Sequence, residues 1–213
     1  MAQWAEHHFV GVMCGIMDQF ASVMGKAGNV IVLDCRSLTH HYAPLDLRDY
    51  RIILCDTKVK HSLVDSEYNT RRNECEAGVK VLQKYYPEIK TLRDTSLDML
   101  EKRRGEFPGK VYDRCRYVVQ EIVRVQKASD DLKAGNMDAF GKKMFETHEA
   151  LSRLYEVSCK ELDFLVNEAR QFNGVIGARM LGGGFGGCTI NLVRVDQAKE
   201  FIYFDLRTDD DHS

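Results

Sequence analysis

The chain has 213 residues, 44% hydrophobic and 29% charged, which fits a folded globular protein with a real core and argues against disorder. Lys and Arg total 30 against 32 Asp and Glu, a formal net charge of −2, so neither nucleic acid nor an anionic membrane surface is the expected partner. No run of about 18 apolar residues is present, and Met1–His8 lacks the basic-then-apolar order of a secretory signal.

The N-terminal third reads as a helix followed by strands. Ile16, Met17, Phe20, Val23 and Met24 recur at helical spacing, and Gly25 and Gly28 end the run. Val30–Leu33 and Arg51–Cys55 are short β-branched runs of the kind that form buried strands, with His40–Leu45 a candidate third strand between them. Val30–Leu33 and Arg51–Cys55 are expected to pair with each other, in a sheet with open edges.

From Ser62 the pattern turns helical. Ser62–Tyr85 holds no Pro and one Gly. Val111, Cys115, Val118, Ile122 and Val125 alternate four and three apart and build one apolar stripe on a long helix, which Gly135-Asn136 stops. Phe140, Met144, His148 and Leu151 continue the spacing in the next helix. Ser158-Cys-Lys-Glu161 reads as a capping box, opening a helix whose inner face is Leu162, Leu165, Val166, Ala169 and Phe172. Val175–Leu181 and Cys188–Val195 read as strands joined by a glycine loop, and the acidic end Thr208–Ser213 reads as disordered.

The seven cysteines, at 14, 35, 55, 75, 115, 159 and 188, are odd in number and none is close to another. Reduced thiols in a cytoplasmic protein are the expectation, with neither a disulfide framework nor a zinc site. The doublets His7-His8 and His40-His41 lack partners at ligand spacing and read as ordinary surface or packed histidines.

Three segments can carry chemistry. Gly182-Gly-Gly-Phe-Gly-Gly187 has five glycines in six positions, more than a tight hairpin needs, and such a loop lets backbone amides approach a phosphate without a β-carbon in the way. It lacks the Lys-Ser/Thr of a Walker A loop, and the strand after it excludes a dinucleotide fingerprint. Asp18 is either a base that orients an attacking hydroxyl or a first-turn carboxylate favoured by the helix dipole, and on the residues alone the second account is simpler. Ser66-Glu-Tyr-Asn-Thr-Arg-Arg72 reads, on its pattern alone, as a charged solvated helix with Tyr68 half buried.

Taken together, Cys14-Gly-Ile-Met-Asp-Gln-Phe20, Ser66–Arg72, Tyr155-Glu-Val-Ser-Cys-Lys-Glu-Leu-Asp163 and Gly177-Ala-Arg-Met-Leu-Gly-Gly-Gly-Phe-Gly-Gly-Cys188 resemble the galactokinases, in this order. These belong to the GHMP family of small-molecule kinases, with the homoserine, mevalonate and phosphomevalonate kinases. The resemblance runs from about Trp4 to about Val195. It implies an α+β fold of two domains, the second helix-rich with a small antiparallel sheet. It implies transfer of the ATP γ-phosphoryl group to the C1 hydroxyl of α-D-galactose, with galactose and ATP as small-molecule partners and a monomeric protein. By position, Asp18 resembles the catalytic aspartate, Gly15 the glycine lying against the sugar and Tyr68 the tyrosine that contacts it. Gly182, Gly183, Gly184, Gly186 and Gly187 resemble the third family motif, which supports the nucleotide site.

Two stretches that the family carries earlier in its chain do not occur here: a Gly-Arg-x-Asn-x-Ile-Gly-Glu-His-x-Asp sugar grip and a Gly-Leu-Ser-Ser-Ser-Ala phosphate loop. The family's Mg²⁺ ligands belong to the same part, so no metal ligand is expected among these residues. The expected division is 1–60 as the end of a first domain, 61–204 as a second domain and 205–213 as a disordered tail. Both ends read as trimmed, and a chain of this content alone is expected to be marginally stable and inactive. The rival readings are a kinase of a related sugar, a non-catalytic regulator responsive to galactose and ATP, and an orphan fragment.

Overall fold

A computed structural model describes residues 2–11, 14–59 and 64–210. Its sheet has three strands in the order β3-β5-β4, all antiparallel: β3 Tyr50–Asp56, β4 Val175–Met180 and β5 Cys188–Arg194. β5 is central, and its mostly buried run Cys-Thr-Ile-Asn-Leu-Val-Arg fits a strand enclosed on both faces. Its one buried amide, Asn191, donates to Thr189 Oγ1 at 3.0 Å and to the Ile53 carbonyl at 3.2 Å.

β3 pairs with β5 along its whole length, from Tyr50 opposite Arg194 to Asp56 opposite Cys188. The expected pairing of Val30–Leu33 with Arg51–Cys55 is therefore wrong. β1 (Asn29–Leu33) instead forms a hairpin with β2 (His40–Pro44), in the register Asn29–Pro44 to Leu33–His40. A boundary at residue 60 also falls between two strands of one sheet. Pairing across more than 130 residues leaves no trace in local pattern, and each run is equally apolar.

The hairpin turn is held by Asp34, whose Oδ1 accepts from the amides of Arg36 at 2.9 Å and Ser37 at 3.2 Å. The same carboxylate receives Arg93, while Arg36 reaches Asp94 at 2.8 Å and Thr91 Oγ1 at 2.6 Å. This crossed pair of ion pairs ties the hairpin to the 91–94 turn. α2 (Met17–Met24) lies on the hairpin, with Phe20 edge-on to His40 and the Tyr42 hydroxyl donating to the Met24 carbonyl at 2.7 Å.

The helices follow the apolar stripes. α3 (Val64–Gln83) and α5 (Val111–Lys133) bury Val81, Leu82, Val111, Cys115 and Val119 against α4 (Leu97–Lys102) and the loops around it. α6 (Met137–Ala150) and α7 (Lys160–Gln171) cover the sheet, where Val166 and Ala169 meet Cys55, Ala178, Val193 and Phe201. Asn136 caps α6 by accepting from Ala139 N at 3.1 Å.

Two local expectations fail. Ser158 does not open a capping box: the helix starts at Lys160 with Cys159 as its N-cap, so Ser158 stands one residue too early, and its hydroxyl donates to Asp163 Oδ1 at 2.6 Å. The acidic end is helical as far as Asp210, in α8 (Ala198–Asp210), because Phe201 and Phe204 dock the helix on Phe172 and carry it past the polar residues. Residues 211–213 of the expected disordered tail lie outside the described residues.

Candidate active site

The glycine loop is a docked structure. Gly184, Phe185, Gly186 and Gly187 all have positive φ, at 93°, 61°, 136° and 81°. Four such residues in succession explain a glycine-rich sequence where an ordinary hairpin would need fewer. Phe185 takes the left-handed conformation with a bulky side chain, and it is held there by packing on Val157, Leu162 and Met180 and by donating its amide to the Val157 carbonyl at 2.7 Å. A β-carbon at Gly184 would stand 2.0 Å from that same carbonyl oxygen. At the far end, Thr57 just after β3 donates both its amide (2.9 Å) and its hydroxyl (2.7 Å) to the Gly187 carbonyl.

The loop's apex differs from its base. Gly182 and Gly183 are exposed, a β-carbon at Gly182 would meet nothing, and the amides of both glycines have no partner among the described residues. Exposed amides without an internal partner are able to donate to the oxygen atoms of an anion. Among the described residues, no group of three or more His, Cys, Asp or Glu side chains is arranged to hold a metal ion.

Val157, the loop's anchor, follows a turn clamped by two arginines. Arg71 of α3 donates to the carbonyls of Tyr155 (2.7 Å) and Glu156 (3.0 Å). Arg114 of α5 donates to the Leu154 carbonyl at 2.5 Å and to Glu156 Oε2 at 2.7 Å, and both arginines share Glu74. Glu156 sits at φ 53°, and the paired Lys110 and Arg114 hold its carboxyl below the usual carboxylate range. Pattern reading placed Arg71 on a solvated face, yet it is buried, and it missed Arg114 altogether. A charged residue inside an apolar stripe, as Arg114 is between Val111 and Val118, was the available signal.

Tyr68 stands half buried in the first half of α3. Tyr155 stacks against Tyr117 at 4.6 Å between ring centroids, and burial pushes both hydroxyls well above the ordinary phenol range. Tyr155 also meets α3 at Cys75, whose sulfur lies 3.9 Å from the Tyr155 hydroxyl.

Asp18 lies exposed in the first turn of α2, its carboxylate without a partner among the described residues, and the Ser22 hydroxyl donates to its carbonyl at 2.8 Å. Gly15 is exposed, with open space where a β-carbon would be. No hydrogen bond or ion pair among the described residues joins either to Tyr68 or to the loop. The two halves approach where the Asn69 amide reaches the Gly11 carbonyl at 3.5 Å.

Residues 128–208 match the family model described as GHMP kinases C terminal. The chain is 46% identical over 192 residues to a galactokinase of Thermotoga maritima, covering 90% of this chain and 52% of the relative. It is 43% identical over 198 residues to the galactokinase of Homo sapiens, covering 93% and 49%. The structure of Lactococcus lactis galactokinase complexed with galactose superimposes with a TM-score of 0.88 at 36% identity, over 93% of this chain and 51% of that one. Mevalonate kinase of L. major shares the fold at 17% identity and a TM-score of 0.50. The chain spans about half the length of the relatives it matches. Residues 128–208 carry the C-terminal signature of the GHMP kinases, and by sequence and by fold the chain is similar to the galactokinases.

Proposed function

We propose that this chain supplies the catalytic carboxylate and the second-domain wall of a galactokinase site. The observation that carries the reading is the match to a galactose-bound galactokinase at a TM-score of 0.88 over nearly the whole chain. In the proposed reaction the C1 hydroxyl oxygen of galactose bonds to the γ-phosphorus of ATP, the bond from that phosphorus to the bridging oxygen breaks, and ADP leaves. The hydroxyl proton passes to the Asp18 carboxylate. Exposure and the lack of an internal partner support this role, because an acid tied into a salt bridge is a poor proton acceptor. Tyr68 contacts the sugar, as a phenol suits both stacking and hydrogen bonding to a sugar face. Gly15 leaves room for the sugar against the backbone. The apex amides of Gly182 and Gly183 face the phosphates, and Gly184, Gly186 and Gly187 give the loop its docked shape. Such a site works by placement and charge, with little covalent chemistry asked of the protein. In this reading residues 1–60 adjoin the first domain and 61–204 form the second, whose sheet β3 completes from the N-terminal side of that boundary.

The test is complementation. The chain is co-expressed with the segment of the Thermotoga maritima relative that it does not match, and galactose-dependent ADP release is measured. Activity is expected in the pair, falling at least ~100-fold with Asp18→Asn. Activity that survives Asp18→Asn unchanged overturns the assignment of Asp18, and a pair that folds together without any galactose-dependent turnover overturns the reaction.

A further inference from the structure

β4 is an edge strand, and α6 lies along it at two points seven residues apart on the helix and three on the strand. At the first, Gly141 and Gly177 meet backbone to backbone: a β-carbon at Gly177 would stand 2.5 Å from Gly141 Cα, and one at Gly141 would stand 2.1 Å from the Ile176 carbonyl oxygen. At the second, His148 Nδ1 accepts from the Met180 amide at 3.2 Å. The spacing is consistent, since seven helical residues and three strand residues each advance about 10 Å.

Met180 is the last residue of β4 before the glycine loop. Its neighbour Leu181 donates inward, to Cys188 of β5 at 2.9 Å, so the alternation of an antiparallel pair turns the Met180 amide outward to the open edge. That amide is buried and would have no partner without His148. His148 is itself buried, and its other ring nitrogen stands 3.1 Å from Asp163 Oδ1, obliquely to the N–H direction. Asp163 is fixed in turn by Ser158 (2.6 Å) and Ser152 (2.9 Å).

We propose that His148 is the positioning residue of the glycine loop: the neutral Nε2–H tautomer, set by Asp163, clamps Met180 and so fixes where the loop leaves the sheet. The proposal rests on the reading of Gly182–Gly187 as the loop that serves the nucleotide. Burial is the largest influence on the ring and lowers the pKa of His148; Arg170 of α7 lowers it too, and together they outweigh Asp163 of α7 and Glu149 of its own helix, which raise it, so Nδ1 stays an acceptor at neutral pH.

Two measurements on the full chain decide it, and neither needs kinase activity. The first is the imidazole ¹⁵N spectrum of the unmodified chain at neutral pH. An unprotonated Nδ1 with a proton on Nε2 is expected, and a protonated Nδ1 overturns the proposal because it cannot accept. The second is hydrogen exchange of the backbone over 180–184 in His148→Asn and His148→Leu. These side chains are near-isosteric, but only Asn keeps an acceptor where Nδ1 was. Exchange is expected about tenfold faster in the Leu variant than in the Asn variant, the factor that one net hydrogen bond is worth, with Leu192 of β5 unchanged between the two. Equal exchange at 180–184 in the two variants overturns the proposal. If these results hold while complementation gives no kinase, His148 keeps its place and the nucleotide reading of the loop falls.

Discussion

Gly78 on α3 faces Cys115 on α5 so closely that a β-carbon at position 78 would lie 2.1 Å from the Cys115 sulfur. The thiol is fully buried at this crossing, beside Val111 and Phe107, and burial pushes its pKa up to about 12. A thiol so placed is a small packing group, inert at neutral pH.

Overpacking at this crossing is expected to be costly and reparable. Gly78→Ala should lower stability by about 1–3 kcal/mol, the usual cost of forcing a methyl into a packed core. Cys115→Ala in the same chain removes the clashing atom. The double variant should regain at least half of the loss, read as a coupling in a urea-unfolding cycle. Strictly additive losses would show that the helices relax apart instead.

The hairpin clasp sets an acid limit. Hydrogen bonds from Arg93 hold the Asp34 carboxyl well below its ordinary value of 3.8, and those from Arg36 do the same for Asp94. A depressed folded-state pKa adds stability that is complete above the unfolded value and lost as pH falls through the folded one. The clasp's contribution should therefore hold above about pH 4 and fade below it. Unfolding midpoints taken in steps from neutral pH downward should fall more steeply in the unmodified chain than in an Asp34→Asn, Asp94→Asn double variant. High salt should blunt the difference, since both pairs are exposed.

Much of this architecture is legible in the residues. The stripe Val111–Val125 gives α5, the spacing from Phe140 to Leu151 gives α6, and the glycine loop between two β-branched runs gives the β4–β5 hairpin. Each is a local pattern whose period the structure must respect. What stays hidden is long-range or energetic. Nothing within Tyr50–Asp56 says that its partner lies more than 130 residues away. Nothing about Ser158 says that the helix starts one residue later than its capping pattern and that its hydroxyl serves Asp163. Arg71 looks like one charge among many on a polar helix until the 154–157 turn presents the Tyr155 and Glu156 carbonyls to it. The glycine motif was readable as a loop made for close approach. That the closest approach is to Val157, inside the protein, was not.

Arg114 should be the most sensitive polar position. Its guanidinium is buried and serves Glu74, Glu156 and the Leu154 carbonyl. Arg114→Met keeps much of the side-chain volume but leaves the Leu154 carbonyl without its donor and takes one of two cations from each of Glu74 and Glu156, which keep Arg71 and Lys110. A loss of about 2–4 kcal/mol is expected, less than for a wholly enclosed pair because both glutamates keep some access to water. Arg72→Met, which removes an exposed pair with Glu76 on the same helical face of the motif, should cost less than about 0.5 kcal/mol. Chemical unfolding of the two variants side by side checks the ranking.

The base and the apex of the glycine loop should respond differently to the same substitution. Gly182→Ala meets no atom, so its cost is that of placing a β-carbon at φ 81°, about 1–2 kcal/mol. Gly184→Ala carries a similar conformational cost at φ 93° and adds a collision with the Val157 carbonyl, the acceptor that holds Phe185. Relief requires the loop to lift from the 154–157 turn, which breaks that hydrogen bond and uncovers Phe185. Hydrogen exchange at Phe185 should therefore quicken sharply in Gly184→Ala and stay near its original rate in Gly182→Ala. If both variants protect Phe185 equally, the loop is held by Thr57 and the strands alone, and Val157 is a neighbour of the loop with no part in anchoring it.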